Sequence, residues 1–236
     1  MPKPIRLSYA KGMKAGQVGA LELLAQHYDY GRGPSHARKV AGLATSLFDQ
    51  LTEHGLLPSI APGDRQTLYA AGLTHDIGSS ARARIDAGEL PDWASEMTRD
   101  SVGVVSYTLL RRWLENPPAP LANTPLSPAD RSALLYSVLW SDRGNQIEVA
   151  GEELTNASHT RRLASTLRVA QCLDSTLRGL VSGIKVLSSE HWVRILVRSL
   201  GSVENEVADA AAHVSALEQS LGIRVFVQEI VEDAEA

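Results

Sequence analysis

Four side chains in this sequence have the chemistry and the spacing to hold a divalent cation. His75 and Asp76 stand side by side in "LYAAGLTHDIGSS" (68–80), where an apolar, helix-like run drops into Gly78–Ser79–Ser80. An adjacent His–Asp arises often by chance, so the pair alone decides little. Its neighbours decide more. Leu68, Ala71, Gly72 and His75 recur at spacings of three and four, which turns His75 toward the core of a helical fold. His36 falls on the same face as Val40, Leu43 and Leu47. In a third run, Leu163, Leu167, Ala170, Asp174 and Leu177 advance by 4, 3, 4 and 3, and Asp174 takes an apolar place.

A carboxylate facing a helical core is costly unless something compensates it. Three helices each presenting an inward His or Asp are explained together by one cation. His36, His75, Asp76 and Asp174 form a mixed nitrogen and oxygen set suited to Mn²⁺, Fe²⁺, Zn²⁺ or Mg²⁺. The absence of thiolates argues against a closed structural zinc site.

The elements that must position these residues are mostly helices. Apolar periodicity predicts helices over 14–30, 35–55, 62–76, 98–116, 129–142 and 158–179. Ser35 and Ser127 are candidate caps, with Pro128 in the first turn of its helix and Gly55 a stop. Residues 78–97 read as a loop with a turn of helix, and 117–128 as a proline-rich connection. Near Gly183 the period changes. "GIKVLSSEHWVRILVRSL" alternates like two strands, "SVENEVADAAAHVSALEQSLG" reads as a helix with Ser202 as cap and Gly222 as stop, and "IRVFVQEIVE" as a last strand. The expected architecture is mainly α, a helical domain over 1–180 followed by a small β-β-α-β unit over 181–236.

Bulk composition narrows the function. With 23 basic and 27 acidic residues the formal charge is −4, which argues against bulk nucleic-acid binding but not against a local basic pocket for a small anion. The single cysteine, Cys172, excludes an internal disulfide and reads as a buried, inert thiol. The N-terminal stretch lacks a signal-peptide core, and no run approaches the ~20 apolar residues of a membrane span. A cytoplasmic protein without membrane partners is expected.

The order H…HD…D resembles the HD-domain metal-dependent phosphohydrolase superfamily. "HARKVAGLATSLFDQL", "AAGLTHDIG" and "LRVAQCLD" together are similar to the helical C-terminal region of the exopolyphosphatase and guanosine pentaphosphate phosphatase family, over roughly residues 20–230. The resemblance implies an HD-type helical bundle and places His36, His75, Asp76 and Asp174 at the four metal positions. It also matches Arg168 to an arginine of the same helix. Two departures matter. Asp100 in "MTRDSVGVV", and Ser141 or Asp142 in "LLYSVLWSDRG", stand where the family commonly has further histidines. One metal ion, rather than two, is therefore expected, with Asp100 and Asp142 as further oxygen candidates. The actin-like domain to which the resemblance assigns polyphosphate cleavage has no counterpart in these 236 residues.

The expectation is metal-assisted hydrolysis of a phosphate ester or anhydride, on a nucleotide-like or polyphosphate-like substrate. Asp76 would orient the attacking water, and Arg82, Arg84 and Arg143 would neutralise developing charge. The alternative is a non-catalytic ligand-binding or assembly module on the same helices. The partner is a small phosphorylated molecule in either case, with a homodimer as one assembly open to the chain.

Overall fold

The computed structural model describes residues 14–57, 61, 63–90, 97, 100–117, 119–123, 125–143 and 157–230. Expectations for the N-terminal 13 residues, the loop over 91–96 and the helix start at 98–99 lie outside these. The chain is mainly α, with a small three-stranded sheet near its C-terminal end.

Helices α1 (Ala15–His27), α2 (Pro34–Glu53) and α3 (Asp64–Thr74) come first. In α2, Val40, Leu43, Ala44, Leu47 and Leu51 are all buried, as their spacing predicts. Pro34 holds the first position of α2 and Gly33 takes the cap, so the start lies ahead of the expected Ser35. Gly55 ends it with φ +70. Helix α3 packs closely on α2, since a Cβ on Gly72 would lie 2.6 Å from Ala41 Cα.

After His75–Asp76, residues 78–86 of the segment expected as loop are helical, in α4 (Ile77–Asp86). Gly78 does not break it. Gly78 lets α4 approach α5 (Val102–Glu115), because a Cβ there would meet Val102 O at 2.5 Å. A short helix, α6 (Ala119–Asn123), lies in the proline-rich connection. Ser127 then caps α7 (Pro128–Ser141) by accepting the Asp130 N–H, with Pro128 in the first turn, as expected.

Helix α8 (Ala157–Cys172) is shorter than its periodic run. The periodicity continues to Leu177, but the chain turns there with Leu177 at φ +60, and Gly179 follows at φ +63. Strands β1 (Val181–Ser188) and β2 (Trp192–Ser199) pair antiparallel. The single helix expected in this region is two, α9 (Glu204–Ala212) and α10 (Ser215–Leu221), broken at His213–Val214 and started after Val203 rather than Ser202. Gly222 stops α10 with φ +72, and β3 (Arg224–Glu229) returns parallel to β2.

The sheet is joined to the helices. Its outer edge at β1 would leave unpaired peptide groups. Gln50 of α2 donates to Ile184 O (3.1 Å) and accepts from Val186 N–H (2.7 Å), while Lys39 Nζ donates to Val181 O (2.7 Å). One continuous apolar cluster runs from Leu21 of α1 through Leu47, Leu68 and Leu167 to Val193, Ile195 and Val197 in β2 and Val227 in β3.

The α2–α3 contact leaves no room for a methyl group. Gly72→Ala gains helix propensity of about 1 kcal/mol, but the overpacking against Ala41 backbone should outweigh it. A net loss of about 1–2 kcal/mol is expected, read as a lower urea midpoint at unchanged slope.

Candidate metal centre

His75 is the residue that follows α3 and Asp76 the residue that precedes α4, so the pair sits in the junction of two buried helices. Both side chains are essentially inaccessible, as are His36 on α2 and Asp174 just beyond α8. Ligand atoms of His36, His75 and Asp76 all lie within 4.8 Å of one another.

The hydrogen bonds fix which imidazole nitrogen faces this meeting point. His75 Nδ1 lies 2.7 Å from Gly72 O, which can only accept, so Nδ1 carries the proton. His36 Nδ1 donates to Asp174 Oδ2 at 2.8 Å. The second nitrogen of each ring, Nε2, is buried and has no partner among the described residues. Asp174 Oδ1 accepts the Gly179 N–H at 3.1 Å, so Asp174 lies behind His36. This is the arrangement in which a carboxylate orients a histidine ligand. Burial pushes the His75 imidazole down to about 4, with His36 and Arg32 acting in the same direction and Asp76 opposing them. A neutral imidazole with its lone pair free is what a cation requires.

Asp76 Oδ1 accepts from Ser79 Oγ at 3.0 Å. Arg32 Nε lies 2.8 Å from Asp76 Oδ2. That contact is an ion pair without a well-aligned hydrogen bond, since Oδ2 has no donor in bonding geometry among the described residues. His75, Asp76 and Arg32 line a cavity of about 190 Å³, whose far wall is Ser101–Gly103 at the start of α5, Ser141 and Asp142 at the end of α7, and Gln171.

The donor set fits a divalent ion. Two buried nitrogens with free lone pairs beside a carboxylate are costly without a partner. The set suits borderline and hard divalent metals.

The other expected residues are placed elsewhere or otherwise engaged. Asp142 lines the cavity, but its Oδ2 accepts the Gly103 N–H at 2.8 Å, and Ser141 Oγ donates to Val138 O at 2.9 Å. Asp100 is not among the lining residues. Of the three arginines expected to neutralise charge, none lines the cavity. Arg82 donates to the Asp100 carbonyl, Arg84 lies over the Tyr28 ring and near Glu89, and Arg143 pairs with Asp209 at 2.9 Å. For Arg82 and Arg84 the physical reason is α4, which carries them past its first turn and away from His75–Asp76; Arg143 is held instead by Asp209 of α9. Arg168 is buried and bridges the carbonyls of Trp140 and Asp142, fixing the end of α7.

Arg32 is the cation that sequence reasoning missed. It lies in "DYGRGP", which reads as a helix breaker. The available signal was a glycine on each side of an arginine just ahead of His36. Cys172 is buried, as expected, with its thiol pushed up to about 12 by burial and by Asp209.

No protein-family model matches this chain, and no curated protein does. No helix among the described residues is long and apolar enough to cross a membrane.

The depressed His75 value links stability to pH in the metal-free protein. The unfolded chain takes up this proton near 6.5 and the folded chain only near 4, so the contribution is complete above about 6.5 and is lost as pH falls toward 4. At about 1.4 kcal/mol per pH unit the ceiling is near 3 kcal/mol. Urea unfolding in chelator at about pH 7.5 and about pH 4.5 should show that loss in the wild type and a smaller one in His75→Gln. Equal losses in the two would remove His75 as the cause.

Proposed function

We propose that the chain is a metal-dependent phosphohydrolase acting on a phosphate ester or anhydride, with His36, His75 and Asp76 holding one divalent ion. The observation that carries this reading is the pair of buried Nε2 atoms, without a partner among the described residues, beside the Asp76 carboxylate. The H…HD…D order, which resembles that of the HD-domain phosphohydrolases, supports it.

A divalent ion held by His36, His75 and Asp76 would supply Lewis-acid polarisation of a phosphoryl oxygen and a more acidic bound water. The chain's own residues do the rest. Gly72 O and Asp174 hold the two imidazoles in the tautomer that presents Nε2. Asp174, expected as a fourth ligand, acts through His36 Nδ1 and raises the basicity of that ring. Ser79 fixes the Asp76 carboxylate through Oδ1. Asp142 is held by the α5 backbone, so Asp76 is the carboxylate best placed to orient the water. The cavity is small and lined largely by polar groups at helix ends.

Metal analysis and calorimetric titration with Mn²⁺ should give one tightly held ion per chain. Asp76→Ala should abolish binding, and Asp174→Asn should weaken it on the order of tenfold by loosening His36. A phosphatase and nucleotidase panel with Mn²⁺, Mg²⁺, Co²⁺ and Ni²⁺ should then show turnover that Asp76→Ala lacks. Metal binding with no turnover across the panel would leave a non-catalytic ligand-binding module. Two stoichiometric transition-metal ions would refute the single-ion site.

A further inference from the structure

We infer that Arg32 is the residue that recognises the substrate's phosphoryl group, and that it holds the Asp76 carboxylate as a displaceable counter-ion until a divalent ion takes that place. This rests on the metal reading above and extends it to the anion.

The loop carrying Arg32 is built to bring it there. Asp29 and Tyr30 adopt φ +48 and +54, a conformation most side chains avoid, and Gly31 follows at φ +78. A Cβ on Gly31 would lie 1.8 Å from the Asp76 carbonyl oxygen, so the loop rests directly on the backbone of the site. Tyr30 is buried and anchored by its hydroxyl, which donates to Glu22 and accepts from Arg38. The strain is sustained by that packing, and its result is a guanidinium against Asp76.

Arg32 spans two environments. Its Nε reaches a carboxylate that is 1% exposed, while its own side chain is 36% exposed and lines the cavity. A divalent ion ligated by Asp76 competes with Arg32 for the same oxygen. A guanidinium released from Asp76 still borders the cavity and offers paired donors to phosphoryl oxygens. The start of α5 at Ser101–Gly103 lines the same space, with its Gly103 N–H already taken by Asp142. The buried Nε2 of His75, without a partner among the described residues, independently marks that space as a ligand site.

The cavity also sets the size and order of binding. At about 190 Å³ it is smaller than the roughly 300 Å³ at which pockets begin to enclose whole small molecules. It therefore takes a terminal phosphoryl group and leaves the remainder of the substrate outside. Asp76 and Asp142 border the same space and repel an anion until a divalent ion is bound. The metal binds first and the phosphoryl group second.

The test uses the full chain, Mn²⁺ titration followed by EPR, and inorganic phosphate titration of the Mn²⁺-loaded protein. Arg32→Gln should bind Mn²⁺ about threefold more tightly, because a competitor is gone, and bind phosphate on the order of tenfold more weakly. Arg32→Lys keeps the charge but not the planar fork. It should bind Mn²⁺ like the wild type and phosphate more weakly, which keeps the proposal testable if Arg32→Gln does not fold. Metal-free wild type should bind no phosphate. Unchanged Mn²⁺ affinity in Arg32→Gln, unchanged phosphate affinity in either variant, or equal phosphate binding without metal would overturn the role of Arg32 alone. No Mn²⁺ binding by the wild type would overturn the metal reading, and this inference with it.

Discussion

The hydrogen bond from His36 Nδ1 to Asp174 Oδ2 joins side chains 138 positions apart, in a core that excludes water. Neither group tolerates that burial alone. The pair therefore fixes where α2 and the end of α8 must meet, with less freedom than apolar contacts allow. Buried polar pairs specify arrangement better than they add stability, and here the arrangement reaches in two directions. Toward the site, the bond leaves His36 Nε2 facing His75 and Asp76. Toward the C-terminus, the second oxygen of Asp174 takes the Gly179 N–H. The chain thus leaves α8 through a left-handed turn at Leu177 and enters β1 two residues after Gly179. The turn that starts the sheet and the histidine that faces the site depend on one carboxylate.

A second polar chain builds the opposite wall. Arg168 of α8 donates to the carbonyls that end α7, and Asp142 beyond α7 accepts from the first turn of α5. Burial lowers the Arg168 pKa from its ordinary value, the cost of holding a cation in the core. The carbonyls it meets would otherwise be unpaired at a helix end. Three helices are thereby brought to the rim of one small cavity. Its walls consist largely of helix ends, where backbone groups still need partners, and that is why so many polar side chains converge there.

Periodicity made most of the fold legible in the sequence, because α2 buries one apolar stripe and the strands alternate, although α8 is buried on all sides from Leu163 to Cys172. It failed where another constraint set the residues. Gly78–Ser79–Ser80 looked like a break, yet Gly78 serves a close approach to α5 and Ser79 bonds to Asp76. The run through Leu177 outlasted α8 because Asp174 needed the turn. His36, His75, Asp76 and Asp174 were legible as inward polar residues on apolar faces. Their division of labour was not, since face membership cannot tell a residue at the centre from one behind a ring. Arg82 and Arg84 are near His75–Asp76 along the chain, but α4 carries them away from it, while Arg143, next to Asp142, is drawn off by Asp209. Arg32 was hidden because its position comes from strained backbone angles, and these have no period.

The charged groups around the donor cluster are more acidic than basic, a balance that a cation would offset. Around the cavity and behind His36 stand the carboxylates of Asp76, Asp142 and Asp174, against the guanidinium groups of Arg32 and Arg168. His75 adds no charge, because burial keeps it neutral. Arg168 is committed to carbonyls and Asp142 to a backbone N–H, so neither adjusts readily. Asp174 is satisfied by two donors. The adjustable pair is Asp76 with Arg32, one fully buried and one partly in solvent. The negative member is therefore enclosed by the core, while the positive member reaches solvent. Such an asymmetry has little use in a purely structural ion pair, where both partners gain from being held. It suits a carboxylate whose counter-ion is meant to be exchanged.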